Sequence, residues 1–264
     1  MSNILEKIIS DKKKDINEYK GVLSVDDLKK KIVSYKNYLN FKNKLTSNKI
    51  SVIAEIKKAS PSEGVIIQNY NPKVIAKQYL NSGAACLSVL TEEKYFKGHL
   101  EHIHQVKSEV KLPVLCKDFF IDPYQVYLAK SFGADAILII LSAIREKTAK
   151  EIYDVANRLN ITAIIEVHTN EEAKNALNFK NAIVGINNRN LKTLKTDIAT
   201  TFNLHKILVN HSGPLICESG IKTEKEVEEV VRKTKINNFL IGESLLRNLD
   251  KNSSLLKKIT QISP

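Results

Sequence analysis

Glu55 and Lys57 stand two residues apart in the apolar run Val52–Lys57, so in an extended strand both point to one side. Opposite charges on one face of a buried strand cost desolvation energy unless they pair or serve chemistry. The run then breaks at Ser60-Pro61-Ser62, where a turn and the start of a flexible loop over a site are expected. Polar residues end other apolar runs in the same way: Lys117-Asp118, Glu166, Asn187 with Arg189 just beyond, Glu218-Ser219-Gly220 and Gly242-Glu243-Ser244. Lysines and carboxylates gathered in one semi-enclosed mouth can have their pKa values driven apart, which supplies a proton donor and a proton acceptor at neutral pH. A glycine in each of the last two segments, with serine beside it, suits a backbone cradle for a phosphate group. The chain has no G-x-S-x-G elbow and no H-E-x-x-H helix. Its histidines (His99, His102, His104, His168, His205, His211) lack metal-ligand spacing at the ends of apolar runs, and no metal site is expected. His168 follows Glu166 by two positions, but Thr169 reads as a helix cap, so a structural or loop role is expected for His168.

The elements that would position these groups recur with a simple rhythm. Apolar runs lie at Val52–Lys57, Cys86–Leu90, Pro113–Asp118, Ala136–Leu141, Thr162–Val167, Ala182–Asn187, Pro214–Ser219 and Asn238–Gly242. They are rich in Val, Ile and Leu with little polar alternation, as parallel strands covered on both faces should be. Amphipathic segments separate them. Asn71-Pro72 and Asp122-Pro123 set a capping residue before a first-turn proline. Thr169 with Glu172, and Thr223 with Glu226, have capping-box spacing, and Gly83 and Gly133 stand where helices should end. Eight such units imply an α/β fold, a closed (β/α)8 TIM barrel, whose functional groups sit at the C-terminal strand ends. A doubly wound open sheet fits less well, because no G-x-G-x-x-G follows the first strand. Residues 1–48 stand outside the count as an N-terminal helical extension, with helices expected over Ile4–Tyr19 and Val25–Leu39 and Ser24 as a cap. Leu5, Ile8, Ile9 and Ile16 form an apolar stripe that should pack on the barrel. The whole, 1–264, reads as one domain.

Composition narrows the function classes. The 264 residues carry 41 Lys+Arg against 29 Asp+Glu, a formal charge of +12, but the lysines are spread along the chain and few aromatics interleave them. That pattern describes a solvated surface rather than a nucleic-acid face, and its mean potential would draw in an anionic small molecule. No run of apolar residues is long enough for a membrane span and no leader pattern opens the chain. Cys86, Cys116 and Cys217 are far apart and odd in number, which fits a reducing cytoplasm without disulfides. Cys116 should point outward, toward the helices. The expected partner is a phosphorylated small molecule, bound by a monomer or weak homo-oligomer.

The segment Ile53-Ala54-Glu55-Ile56-Lys57-Lys58-Ala59-Ser60-Pro61-Ser62 resembles the signature of the indole-3-glycerol phosphate synthase family. So do Val89–Gly98, Leu115-Cys116-Lys117-Asp118-Phe119, Ile165-Glu166-Val167-His168, Gly185–Leu191, Glu218–Ile221 and Leu240–Leu245, in the family's order across nearly the whole chain. The resemblance implies a lyase of tryptophan biosynthesis acting on 1-(2-carboxyphenylamino)-1-deoxyribulose 5-phosphate with no metal or organic cofactor. It implies Lys117 as general acid, Glu166 in the dehydration, Glu55 as the holder of a lysine, and Lys57 against an anionic part of the substrate. Asn187 and Glu218 would orient the reacting groups. Ser219, Gly220, Gly242 and Glu243 would line the phosphate end with Arg189 nearby, while Phe96, Phe119 and Leu191 pack around the ring and Ser60 contacts substrate from its loop. Asn190 stands where members often carry an acidic residue. A phosphoribosylanthranilate isomerase would instead need a Cys/Asp acid–base pair, and neither Cys86 nor Cys116 ends a strand as that pair should.

Overall fold

The computed structural model describes residues 4–263 apart from Asn48, Lys192, Asn248 and residues 250–253. Strands β1 (Ser51–Ile56), β2 (Cys86–Leu90), β3 (Val114–Lys117), β4 (Ala136–Ile140), β5 (Thr162–Val167), β6 (Ile183–Asn187), β7 (Leu215–Glu218) and β8 (Asn238–Ile241) close into one parallel barrel. β8 returns to β1 in register, Ile53 opposite Leu240. Each expected run became a strand, trimmed by a residue at some ends, and β1 begins one residue earlier, at Ser51. Helices α1 (Ile4–Val22) and α2 (Val25–Ser34) precede the barrel. Around it lie α3 (Pro72–Asn81), α4 (Glu101–Glu109), α5 (Tyr124–Ser131), α6 (Glu146–Arg158), α7 (Asn170–Ala176), α8 (Ala199–Leu208), α9 (Glu224–Thr234), α10 (Glu243–Leu246) and α11 (Ser254–Thr260). None of the described helices is long and apolar enough to cross a membrane.

The pleat sorts each strand into two cores. Ile53, Cys86, Leu115, Leu138, Ile164, Ile183, Ile216 and Leu240 fill the barrel, while Val52, Ala54, Val89, Cys116, Ile165, Val184, Ile186 and Cys217 face the helices. Cys116 therefore points outward as its place in the pleat required, and all three cysteines are buried free thiols. Burial of each such aliphatic side chain contributes on the order of 1.5–3 kcal/mol. Most helix signals hold, although Pro123 stands at the cap of α5 instead of its first turn, and the Thr169–Glu172 box is half made because Glu172 accepts the His168 amide. Asn71 accepts the amides of Lys73 and Val74, Asp122 accepts that of Tyr124, and Thr223 with Glu226 completes a capping box. Gly83 and Gly133 take φ of +91° and +93° just past their helices, where a side chain would strain the chain.

The extension closes the barrel at both ends. Ile4, Leu5, Ile8 and Ile9 of α1 join the inner core beside Phe96, Phe119 and Leu191, at the C-terminal ends of the strands. Phe41 and Leu45 join the same core from the other end, where the first residue of β1, Ser51, donates to the Lys44 carbonyl. The helix expected to reach Leu39 stops at Ser34. The reason is tertiary: Tyr38 donates to the Lys130 carbonyl, and the Leu39 amide donates to buried Asp135 at 2.6 Å, bonds a continued helix would forbid. Asp135 also accepts Val114 N and Lys107 Nζ, so one carboxylate ties the extension to the base of β3 and to α4.

Candidate active site

The C-terminal mouth of the barrel opens into a cavity of about 700 Å³. The alternation that places Ile53, Leu115, Ile164 and Ile216 inside the barrel places Glu55, Lys117, Glu166 and Glu218 one layer higher on the same strands. Lys117 is the centre of the arrangement. Its Nζ lies 3.5 Å from Glu55 Oε2 and 3.4 Å from Glu218 Oε2. Glu55 also accepts from Lys57 Nζ at 2.6 Å, so the pair that shares one face of the first run does meet, although Lys57 sits just past the strand. Glu166 faces Lys117 from β5, and Asn187 bonds to Glu166 from β6.

Burial and charge divide these groups. Burial disfavours the Lys117 ammonium, but Glu218, Glu55 and Glu166 outweigh it and hold the amine charged above its ordinary range. Burial likewise opposes the Glu55 carboxylate, yet Lys57 and Lys117 keep it below the usual value. Glu166 is drawn down in the same way, by His168 first, then Lys117 and Asn187. Glu218 goes the other way. It is fully buried, and that burial together with neighbouring Glu166 raises its carboxyl despite Lys117. Among the described residues its Oε1 finds no hydrogen-bond partner. Two carboxylates in one floor are thus separated into an ionised and a protonated one at neutral pH.

Two glycines make this floor possible. A Cβ on Gly185 of β6 would lie 1.9 Å from Glu218 Oε1, and one on Gly242, just past β8, would lie 2.3 Å from Glu55 Oε1. Each carboxylate rests on bare backbone of a neighbouring strand. Gly242 was expected only at the phosphate end, and Gly185 was not singled out as a site residue.

Lys57, Phe96, Phe119, Arg189, Leu191, Ser219, Gly220, Gly242 and Glu243 line the cavity with Glu55, Lys117, Glu166 and Asn187. Glu218 lies beneath the lining, reached through Lys117. Ser60 borders an adjoining crevice of about 90 Å³ that shares Lys57, Phe96, Phe119, Arg189 and Leu191 and is closed by Ile4, Leu5 and Ile8. The loop begun at Ser60-Pro61-Ser62 makes contacts of its own: Ala59–Ser60 pairs with Gly64–Val65 as a short hairpin, Arg189 donates to Ser62, and Arg247 pairs with Glu63. At the far end, Ser219 and Gly220 turn with φ of +65° and +86°, and Ser244 donates to the Ile221 carbonyl. Glu243 would repel an anion there, but Arg247 at 2.9 Å and Arg189 at 3.8 Å offset its charge.

Reasoning from sequence missed several supporting residues. Buried Glu92 accepts the amides of Lys94, Tyr95 and Phe96, which fixes the loop carrying Phe96. Asp118 accepts Lys12 Nζ of α1 at 2.9 Å, Thr91 Oγ1 at 2.7 Å and Phe119 N at 2.8 Å, which fixes Phe119. His168, expected in a structural or loop role, has Nε2 3.2 Å from Glu166 Oε1. Arg247 and Lys222 also line the mouth. Glu92 and Asp118 each carried a signal, an acidic residue at or just after the end of an apolar run, and His168 carried one in its spacing from Glu166; Lys12, Lys222 and Arg247 carried none.

A family model described as indole-3-glycerol phosphate synthase matches residues 5–257. The chain belongs to the indole-3-glycerol phosphate synthase family. It is an enzyme of that family, a carboxy-lyase of tryptophan biosynthesis. An indole-3-glycerol phosphate synthase of Clostridium acetobutylicum is 44% identical over 248 residues, covering 94% of this chain and 94% of that one. One from Trichodesmium erythraeum is 38% identical over 262 residues, covering 97% of this chain and 88% of its own length. Among solved structures, a tryptophan synthase alpha chain from Legionella pneumophila superposes with a TM-score of 0.61 at 15% identity, over 89% of this chain and 95% of that one. A 3-hexulose-6-phosphate synthase from Salmonella typhimurium does so at 0.63 and 12%, over 80% and 97%. Those two likenesses are of fold.

Proposed function

We propose that this member of the indole-3-glycerol phosphate synthase family closes the indole ring of 1-(2-carboxyphenylamino)-1-deoxyribulose 5-phosphate, releasing carbon dioxide and water, with Lys117 and Glu166 handling the protons. The supporting observation is the placement of the charged Lys117 amine among three buried carboxylates in the cavity floor. As the ring carbon bearing the carboxylate attacks the ribulose carbonyl, the oxygen gains charge, and Lys117 gives it a proton. Loss of carbon dioxide then restores the aromatic ring. Dehydration follows: Glu166 takes a proton from the carbon beside nitrogen, and the hydroxyl leaves as water with a proton from Lys117, recharged from solvent after ring closure. Glu218, carrying a proton at neutral pH, sits where it can keep Lys117 and Glu166 apart in role. Glu55 steadies both lysines, Lys57 meets an anionic part of the substrate, and Asn187 orients Glu166.

Ser219, Gly220, Gly242 and Glu243 take the phosphate end with Arg189, and Phe96, Phe119 and Leu191 enclose the ring, with Ser60 at the loop side. The Phe96 and Phe119 rings stand 6.3 Å apart and tilted, walls for a flat ring. Folding a flexible substrate so that its ring lies over its own carbonyl is an orientation problem that rigid strand ends solve well. We also read the enzyme as cytoplasmic, a monomer or weak homo-oligomer, without a nucleic-acid partner. The test is turnover of the carboxyphenylamino-deoxyribulose phosphate followed by indole fluorescence. Lys117→Ala and Glu166→Gln should each lower kcat by about 10²–10⁴-fold or more with circular dichroism unchanged. Near-normal turnover by Lys117→Ala would remove it from the acid's role.

A further inference from the structure

Residues Glu166 to Glu172 place three titratable groups in a line. Glu166 points into the cavity from β5, and His168, one residue past the end of that strand, turns its ring back to Glu166. Helix α7 opens at Asn170, which brings Glu172 of its first turn back over the histidine. His168 Nε2 lies 3.2 Å from Glu166 Oε1, and Nδ1 lies 3.2 Å from Glu172 Oε2. The same Glu172 oxygen accepts the His168 backbone N–H at 2.8 Å. The ring is only 8% exposed. The contact to Glu166 is ionic and out of line for a linear hydrogen bond, as catalytic contacts often are before substrate arrives.

Holding helix α7 does not require an imidazole. Thr169 already caps it by accepting Glu172 N, and Glu172 needs only the His168 backbone. A ring wedged between two carboxylates has an acceptor at each nitrogen, and only the imidazolium offers a proton to both. Burial disfavours that charge, but Glu166 and Glu172 override it and raise the ring to about 10. The other groups facing Glu166 are Lys117 from β3, Glu218 from β7 and Asn187 from β6. Lys117 reaches toward Glu218 as well as Glu166, so it does not by itself decide which carboxylate ionises. His168 touches only Glu166 of that pair.

We propose that His168 is a positioning residue of this reaction: held by Glu172, its imidazolium fixes the Glu166 carboxylate and makes Glu166, rather than Glu218, the ionised member of the buried pair. This rests on Glu166 being the acid–base group proposed above. The asymmetry of the floor then has a source outside the cavity, anchored in the first turn of α7.

The pH dependence of kcat and KM decides it, measured on folded wild type, His168→Gln, Glu172→Gln and Glu166→Gln. In His168→Gln the acidic limb of kcat should move up by about one pH unit or more, since one unit corresponds to a tenfold change in proton affinity. At pH values well below the wild-type limb kcat should fall about tenfold or more, the full ratio a one-unit shift gives, while KM stays within about threefold. Glu172→Gln should shift the same limb in the same direction by less. Nitrogen-15 NMR should show the wild-type His168 ring doubly protonated at pH 8 and losing its proton at lower pH in Glu172→Gln. A merely structural histidine would alter stability and leave the profile in place. Wild-type profiles in both His168→Gln and Glu172→Gln, with Glu166→Gln inactive, would overturn the proposal alone. Substantial turnover by Glu166→Gln would locate the failure in the reading of Glu166, and the proposal would fall with it. Should His168→Gln not fold, Glu172→Gln and the NMR measurement still decide, because a neutral wild-type ring at pH 7 refutes the imidazolium.

Discussion

Gly185→Ala adds one methyl group beneath the floor of the candidate site. On the existing backbone that carbon would lie 1.9 Å from Glu218 Oε1, 2.9 Å from its Cδ and 3.3 Å from Ile164 Cγ2. Carbon and oxygen atoms do not approach so closely, so the carboxylate must retreat by about 1.5 Å to reach ordinary contact. It cannot rotate in place, because Glu218 is fully buried and its other oxygen faces Lys117 at 3.4 Å. The retreat therefore drags on the Lys117 ammonium, which lies between Glu218 and Glu55. A misplacement of about 1 Å at a reacting group can cost about 10²-fold in rate, or about 2.7 kcal/mol in the barrier. Steady-state indole fluorescence should show kcat down by about that factor with KM little changed, as the phosphate end is untouched. Combining Gly185→Ala with Glu218→Asp shortens the side chain and should recover stability lost by overpacking, without restoring rate. A Gly185→Ala enzyme within about threefold of wild-type kcat would refute the view that this glycine exists to seat the carboxylate.

Other perturbations follow from the same geometry. Gly242→Ala meets Glu55 Oε1 at 2.3 Å, so it should weaken the Glu55–Lys57 contact and lower kcat as well as phosphate affinity, the latter read from inhibition by inorganic phosphate. Lys12→Met strands Asp118 without its cation in a buried site, which should cost about 3–5 kcal/mol in guanidinium unfolding. Glu218, raised from 4.5 to about 8, contributes stability that is full below pH 4.5 and lost as pH rises through about 8. His168, raised from 6.5 to about 10, contributes stability in full below pH 6.5 that is lost as pH climbs through about 10. The unfolding free energy of wild type relative to Glu218→Gln should accordingly fall between pH 4.5 and about 8 and level off above that, and a constant difference across that range would contradict the raised carboxyl.

The barrel was legible because parallel strands sheathed on both faces must be apolar throughout, so Ala136–Ile140 and Ile183–Asn187 announce themselves without helix periodicity. The charged cluster of the candidate site was legible for the complementary reason: Glu55, Lys117, Glu166 and Glu218 break that rule at a fixed end of each run. What could not be read is what depends on neighbours distant in sequence. Gly185 looks like any strand glycine until Glu218, thirty-three positions on, is folded over it. His168 looks like a loop residue because its partners come from the preceding strand and the following helix together. The end of α2 at Ser34 could not be placed, since Tyr35–Leu39 has nothing against helix except the bonds that Lys130 and Asp135 offer it.

The three thiols have a use that their burial creates. Burial pushes Cys86 and Cys116 well above the ordinary thiol range and Cys217 up to about 11, so none presents a thiolate to a reagent while the barrel is closed. Cys86 and Cys116 belong to the adjacent strands β2 and β3, and Cys217 to β7 on the opposite arc. The rate at which a disulfide reagent labels each one therefore times the opening of its own arc. Comparing the arcs distinguishes a barrel that opens as one unit from one that unzips along a seam, with no probe added to the chain.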